Sequence, residues 1–288
     1  MKKWKKKDIK NTKNYSQNNI YRINIYERGD KLEILKEYNS MLLHLYMEGF
    51  ISPFSNLIPY SLYEWLLNEI EEIDSSLSEK IKNNDKKLLS IGLPDKLDNR
   101  TSSLRINVFD KDLAELILEM LKKIKIIKIK KKKLHIDLVT YGGVDRNRLD
   151  FSEDFHEMEL YSKNKTIIKY EFKSGTFFKR GDENYIFPDP VYIYKNLAEK
   201  FSKFNPIDIN MVIEKSKLIN ISEMHIKTLF TELNGSHQVG FRGKIEFDFS
   251  NIEGKYRDLL LLLASFGYYS GIGCDTNIGF GENIPTFE

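Results

Sequence analysis

Cysteine is almost absent from this chain. The single Cys274 excludes an internal disulfide framework and any cysteine-rich zinc module. Histidine is scarce too. His44, His135, His156, His225 and His237 are scattered without paired ligand spacing, so no metal site is expected. His156-Glu157-Met158-Glu159-Leu160 begins like a metalloprotease helix but has leucine where the second histidine belongs. There is no GxxxxGK[ST] phosphate loop and no GxSxG elbow, and Gly271-Ile272-Gly273 lacks the third glycine of a dinucleotide fingerprint. No apolar run is long enough to span a bilayer: the longest, Leu259 to Tyr269, is interrupted by Ser265 and Gly267. The basic start MKKWKKKDIKNTK is followed by no apolar h-region, so no secretory signal is expected. Nor does one sign of charge dominate. Lys plus Arg number 45 and Asp plus Glu 42, a net of +3, which by itself does not mark a nucleic-acid binder. These absences point to a soluble, cytoplasmic protein without cofactor, metal or membrane partner.

What is present is an ordinary globular composition: 30% charged, 41% hydrophobic and 12% aromatic residues over 288 positions. That length suits two domains of usual size. The charge is clustered. Residues 1–13 hold seven lysines, and residues 122–133 (KKIKIIKIKKKK) hold eight. The alternation through Lys123-Ile124-Lys125 and Ile127-Lys128-Ile129-Lys130 has period two, predicting a strand with one lysine face and one isoleucine face. Such a strand could track a phosphate backbone. The plain alternative is a sheet edge kept soluble by charge, and a lysine excess over arginine of 36 to 9 weakens arguments from lysine alone.

Residues 1–38 read as a basic extension with a hairpin at Tyr21–Tyr38 turning at Arg28-Gly29-Asp30. Met41–Glu48 reads as a buried strand. Pro59 and Ser61 open a helix with Leu62, Trp65, Leu66, Ile70, Ile73 and Leu77 at helical spacing, broken near Asp74-Ser75-Ser76 and ending around Lys82-Asn83-Asn84. Lys87–Leu93 and Leu104–Phe109 are strand-like. Asp110 caps a helix over Leu113–Leu121, and a strand follows in the lysine run or at Leu134–Thr140. The order is βαββαβ, the split ferredoxin-like pattern. After a linker the order repeats: strand Thr166–Phe172, helix Pro190–Phe204, strands Met211–Leu218 and Val239–Phe249, helix Gly254–Tyr269, then a glycine-rich hairpin and tail. The expectation is an α+β protein of two tandem ferredoxin-like (RRM-like) domains. Their boundaries are 1–38 extension, 39–145 first domain, 146–163 linker and 164–288 second domain with its glycine-rich loop.

The densest signal is GYYSGIGCDTNIGFGE, residues 267–282. Glycines this close behind a helix imply positive φ and close backbone approach. Gly271, Gly273, Gly279 and Gly281 could let a nucleic-acid backbone reach main-chain N–H groups; packing on the neighbouring domain is the plain alternative. Arg242 and Lys244 begin one strand, and Lys173, Lys179 and Arg180 stand among aromatics in FKSGTFFKR. Cations beside aromatics suit single-stranded RNA, whose phosphates pair with Lys and Arg and whose bases stack.

The pairing of FKSGTFF…FPDPVYIYKNLAEKFSKFNP with GFRGKIEF…LLLLLASFGYYSGIGCDTNIGFGE resembles the CRISPR-associated endoribonuclease that processes precursor CRISPR RNA, a RAMP-superfamily family. The similarity runs over about residues 40–288, with Gly175 where the family usually has proline. The resemblance implies tandem ferredoxin-like domains, a glycine-rich loop and metal-free cleavage of one phosphodiester in the CRISPR repeat. In that reaction the RNA's 2′-OH attacks phosphorus and leaves a 2′,3′-cyclic phosphate. Such chemistry needs a base, an acid and a cation for the developing charge. Partners implied are repeat RNA within precursor CRISPR RNA and proteins of a CRISPR effector complex, with a homodimer left open. Many members carry a histidine in a Leu-His-Glu context at the end of the first helical region. Here Lys82 stands at that place, and Leu67 where some carry tyrosine.

Three readings follow. Lys82 acts as general acid or charge stabiliser, its pKa lowered by Lys80, Lys86 and Lys87. Or His44, on the first strand between Leu43 and Leu45, supplies the acid–base function, a half-buried strand histidine being the plain alternative. Or the protein binds RNA without cutting it. Tyr63, at the helix start, could approach the same cleft, although most tyrosines at helical spacing are packing.

Overall fold

The computed structural model describes residues 21–27, 30–36, 41–48, 57–83, 89–96, 101–123, 126–129, 132–141, 162–233 and 236–288. β1 (Tyr21–Glu27) and β2 (Asp30–Lys36) form the antiparallel ladder expected of the early hairpin, with Glu27 in register with Asp30. The expected linker at 146–163 lies, apart from its last two residues, outside the described residues, as does the lysine-rich start. Among the described residues no helix is long and apolar enough to cross a membrane.

The first unit runs β3 (Met41–Glu48), α1 (Leu57–Ile73), α2 (Ser75–Asn83), β4 (Leu89–Ile91), a short β5 (Asp95–Lys96), β6 (Thr101–Val108), α3 (Lys111–Lys123), β7 (Ile126–Ile129) and β8 (Lys132–Tyr141). Its strands lie in the order β4-β6-β3-β8-β7, with β5 pairing β6. Local chemistry sets the helix starts. Asp74 interrupts the first helical stretch and accepts from the Leu77 N–H (3.0 Å), so the chain restarts as α2; Asp110 does the same for α3 through Leu113 (2.9 Å). Leu62, Leu66 and Ile70 of α1 and Leu113, Ile117 and Leu121 of α3 form one stripe each, closing a core over Leu104, Ile106 and Val108 of β6.

The lysine run is not one strand. Lys122 and Lys123 end α3, where cations suit the carbonyl end of a helix, and only 126–129 pair as β7 against 132–135 of β8.

The second unit runs β9 (Ile167–Thr176), a small hairpin of β10 (Phe178–Arg180) and β11 (Glu183–Tyr185), α4 (Pro190–Phe201), α5 (Ile209–Ser216), β12 (Asn220–Leu233), β13 (Ser236–Asp248), α6 (Gly254–Ser270), a 3₁₀ turn at Thr276–Ile278 and β14 (Asn283–Phe287). Its sheet, β12-β13-β9-β14, repeats the first unit's strand order, and every pairing is antiparallel. The fold is two tandem ferredoxin-like units.

One expected strand is a helix. Met211–Leu218 falls mostly within α5, because Asp208 accepts from the Met211 N–H (3.1 Å) and Val212 and Ser216 turn inward at helical spacing. The strand expected there is β12, whose residues are mostly exposed. The expected glycine-rich hairpin is also absent: the 3₁₀ turn and β14, paired to β9, take its place.

The two units share packing. Phe109 of the first lies 5.7 Å, ring to ring, from both Phe204 and Phe266 of the second. α6 is therefore buried nearly all round, from Leu259 through Gly267, with Phe201 on one side of Phe266 and Phe109 on another. Asn107 donates to the Tyr269 carbonyl at 2.6 Å, across the same junction.

Candidate functional site

The glycine-rich segment is a backbone-on-backbone packing device. Gly271, Gly273, Gly279 and Gly281 all have positive φ (66°, 91°, 88° and 70°) and all are buried. At Gly281 a Cβ would lie 1.9 Å from the Ile272 carbonyl oxygen, and at Gly273 2.4 Å from that of Phe177. Internal partners take the N–H groups along the loop. Ile272 donates to Gly281 O (2.8 Å), Cys274 to Phe177 O (3.0 Å) and Gly281 to Gly175 O (3.0 Å), while Gly273 donates to the Asn196 side chain (2.8 Å). Lys200, 3% exposed, donates to Gly271 O at 2.8 Å and Ser270 O at 3.4 Å, placing a cation at the carbonyl end of α6.

So fixed, the 3₁₀ turn presses on α1 of the first unit. Ile278 joins the core around Leu62 and Tyr63, and Tyr60 packs on Phe177 and Phe280. The Tyr63 hydroxyl donates to the Ile81 carbonyl at 3.4 Å. Burial raises its phenol pKa; a hydrogen bond with the Asn277 side chain and the charge of Lys82 pull the other way. Tyr63 and Asn277 thus meet where α1, α2 and the glycine-fixed turn converge, within reach of the Lys82 charge. Lys82 is exposed and ion-paired with Glu71. That hydrogen bond raises its pKa, reversing the lowering expected from neighbouring lysines. α2 brings Lys82 against Glu71 and within reach of Glu64 on α1, and these acidic charges set the direction of its shift.

His44 sits at the middle of β3, in register with Arg105 on β6 and Thr140 on β8. Leu43 and Leu45 pair with Ile106 and Leu104, which belong to the core of Tyr63. The His44 side chain is outside the described residues.

The other predicted residues lie on the second unit. Arg242 and Lys244 line a cavity of about 400 Å³ with Lys173, Lys227, His225 and Glu171, on the sheet face turned away from α4 and α6. Lys173 above all, then Lys244 and Arg242, holds the Glu171 carboxyl below its ordinary range. The Gly243 bulge (φ 136°) shifts the β13–β9 register between Phe241 and Gly243 and re-aims these side chains. Lys179 and Arg180 are exposed on β10. Lys179 donates to Asn184 at 2.7 Å, and Arg180 lies 5.3 Å from the Tyr185 ring, which stacks on Tyr192. The cations thus form one cavity and one hairpin apart from the Tyr63–Lys82 junction. Among the described residues no three His, Cys, Asp or Glu side chains converge as a metal set.

Residues 170–283 match the model of the family "CRISPR-associated endoribonuclease Cas6". This region is similar to the Cas6 family. The chain is 26% identical to the CRISPR-associated endoribonuclease Cas6 of Streptococcus thermophilus over 132 residues (43% of this chain, 53% of the relative). It is 23% identical to that of Mycobacterium tuberculosis over 147 residues (50% and 45%). The chain thus spans about half the length of the curated relatives it matches. The fold resembles a Cas6 product complex (TM-score 0.67, 16% identity, 86% of this chain and 100% of that one). It also resembles a Cas6-related protein of Pyrococcus furiosus (TM-score 0.57, 15% identity, 86% and 98%). The Cas6-family match covers the sheet and glycine loop of the second unit, while the structural likeness extends the fold over both.

Sequence reasoning missed Asn277, Asn196, Lys200 and Glu282. Glu282, directly after the last loop glycine, sends its carboxylate to the Leu93 N–H (2.8 Å) and to Arg105 (3.4 Å), whose guanidinium lies 3.9 Å from the Tyr268 ring centroid. The only available signal was position, since all four polar side chains lie in or near the motifs that carry the resemblance.

Proposed function

We propose that the chain binds CRISPR repeat RNA and cleaves precursor CRISPR RNA without a metal. The 2′-OH gives its proton to solvent water as its oxygen bonds to the scissile phosphorus, the bond to the 5′-oxygen breaks, that oxygen takes a proton from Lys82, and a 2′,3′-cyclic phosphate and a 5′-OH result. The observation that carries this reading is the junction of Lys82, Tyr63 and Asn277 against the turn fixed by Gly271, Gly273, Gly279 and Gly281. Lys82 is protonated at neutral pH, so its role is to stabilise the charge growing on the phosphoryl oxygens and to give a proton to the leaving 5′-oxygen. Tyr63, neutral at that pH, offers a hydroxyl beside it. Arg242, Lys244, Lys179 and Arg180 hold phosphates at a distance from the cut. Relatives named as endoribonucleases, and structural neighbours solved as product and substrate-mimic complexes, support this reading.

The test is incubation of the full chain with its repeat RNA in EDTA. One cut with a cyclic phosphate is expected, and Lys82→Ala lowers the rate by about 10²-fold, the usual scale for losing one such contact. His44→Ala leaves the rate near that of the unmodified chain. Wild-type rates from Lys82→Ala would move the acid–base role to another residue. A second reading, RNA binding without cleavage, is favoured by one observation: Lys82 stands where the family it resembles has histidine. It predicts tight, salt-dependent repeat binding with no product under any condition.

A further inference from the structure

The small β10–β11 hairpin is held firmly at its base. Phe178 is 3% exposed and belongs to the core of the second unit. Asn184 donates to the Gln238 side chain on β13 at 3.0 Å. Ile186, just past the hairpin, packs on the Phe177–Phe280 pair, as do Tyr60 and Ile278. The hairpin is thus apart from the Tyr63–Lys82 junction but seated on the same turn.

On this base stands a column of flat groups. Phe178 lies 5.9 Å, ring to ring, from Tyr192, and Tyr192 stacks on Tyr185 with centroids 4.4 Å apart and planes 28° apart. Tyr192 fills one face of Tyr185, which leaves the other to Arg180, whose guanidinium lies 5.3 Å from the Tyr185 centroid. The Tyr185 hydroxyl donates to Asp189 at 3.5 Å, and Asp189 also takes the Val191 N–H at the start of α4. The tyrosine ring is therefore anchored at both ends. Arg180 is not. Its carboxylate partner, Glu183, is 4.0 Å away, and the two side chains are 62% and 82% exposed. An ion pair that open contributes little, so the guanidinium can lift off Tyr185 and close again over what enters.

Charge alone does not make this a phosphate groove, because Asp182 and Glu183 at the tip offset Lys179 and Arg180. The flat geometry selects the ligand instead. A nucleobase stacks both on an aromatic face and under a guanidinium plane. Arg180 can cover a base with its face while its N–H edge stays open to the adjoining phosphate.

We infer that an unpaired base flanking the cut inserts between Tyr185 and Arg180, extending the column to Tyr192, Tyr185, base and guanidinium. This rests on the RNA-cleaving reading above and adds to it a place where the single strand is held by stacking. Every base has a π-face, so the site favours unpaired over paired RNA rather than one base over another.

The test uses the full chain and its repeat RNA carrying a 2′-deoxy nucleotide at the cleavage position, so that no cutting intervenes. 2-Aminopurine, whose fluorescence falls on stacking, replaces one unpaired base at a time on either side of that position. One position is expected to be quenched on binding. Tyr185→Leu keeps an apolar side chain on Tyr192 but removes the ring face. It should abolish that quench and weaken binding about tenfold, with the salt slope unchanged. Arg180→Ala should lose the quench and also lower the slope of log K against log salt by about 0.7, one phosphate on a single strand. Arg180→Lys, at an exposed position, keeps the charge and the slope but not the plane; it should lose most of the quench, and keeps the test decisive should Tyr185→Leu unfold the hairpin. RNA binding with no quenched position, or a quench unmoved by Arg180→Lys, would overturn this inference and leave the cleavage reading standing. Binding with the expected quench, but no cutting of the all-ribose repeat, would overturn the cleavage reading alone. A native chain that does not bind repeat RNA would overturn both.

Discussion

Replacing Glu282 by alanine tests how the two ferredoxin-like units are held in place. The Glu282 and Arg105 side chains are only 9% and 11% exposed and belong to different units. Breaking a buried ion pair from one side costs ~3–5 kcal/mol, because the remaining charge stays buried. The Leu93 N–H also loses its 2.8 Å acceptor, a further ~1–3 kcal/mol. The Tyr268 ring lies against the guanidinium in both proteins and so adds nothing to the difference. At the lower end of these ranges the expected loss is ~4 kcal/mol, or roughly 8 °C in Tm at about 2 °C per kcal/mol for a chain of this size. Glu282→Gln keeps an acceptor for Leu93 and should fall between. Arg105→Met in the Glu282→Ala background removes the orphaned cation and should recover about half the loss. Thermal and urea unfolding of the four proteins would decide it. A Glu282→Ala drop below about 2 °C, or a double variant no more stable than the single, would refute the reasoning.

Gly281→Ala must displace the Ile272 carbonyl and adopt φ 70°, so unfolding should show a loss above ~3 kcal/mol; Gly181→Ala, with φ 61° and open space around it, should lose only about 1 kcal/mol. Glu71 raises the Lys82 pKa, so the pH–rate profile should show no lysine deprotonation across the neutral range; Lys82→Arg keeps the charge but gives up no proton, and should cut more slowly than the unmodified chain and faster than Lys82→Ala. The Tyr170 and Tyr194 hydroxyls, 3.4 Å apart, have phenol pKa values raised chiefly by burial. Their contribution is complete below the ordinary value near 10 and is lost as pH rises toward the folded values. Spectrophotometric titration should therefore show two tyrosines ionising only with unfolding, and Tyr170→Phe should make alkaline unfolding less steep.

The tandem order was legible because its main elements carry strong local marks. Met41–Glu48 appears as β3 with the same bounds, the break read near Asp74 falls there, Asp110 acts as the read cap, and Asp189-Pro190 opens α4. β12 was not legible. It is an edge strand whose side chains mostly meet solvent, so no alternation with a core betrays it, and the apolar Met211-Val212-Ile213 nearby drew the strand assignment instead. The candidate site was half legible. Tyr63, Lys82 and the loop glycines are conspicuous in one dimension. Asn277, Lys200 and Glu282 owe their importance to contacts across 70 to 214 positions, which no local pattern announces. The pKa of Lys82 was misjudged for the same reason: Glu71 is 11 positions away in sequence and adjacent in space.

The seat of Ile278 has a consequence for the order in which the molecule is made. The first unit has all its strands once residue 141 is joined, but the core around Leu62 and Tyr63 includes a side chain from residue 278. At about 5–20 residues per second the ribosome needs roughly 7–30 s to close that gap. During this interval the first unit is exposed with part of its greasy surface uncapped, and a later-made turn of the second unit acts as its lid. Slow codons or a stall between the two units would lengthen that exposure. Chaperone dependence should then track translation speed in this stretch more than the stability of the finished protein.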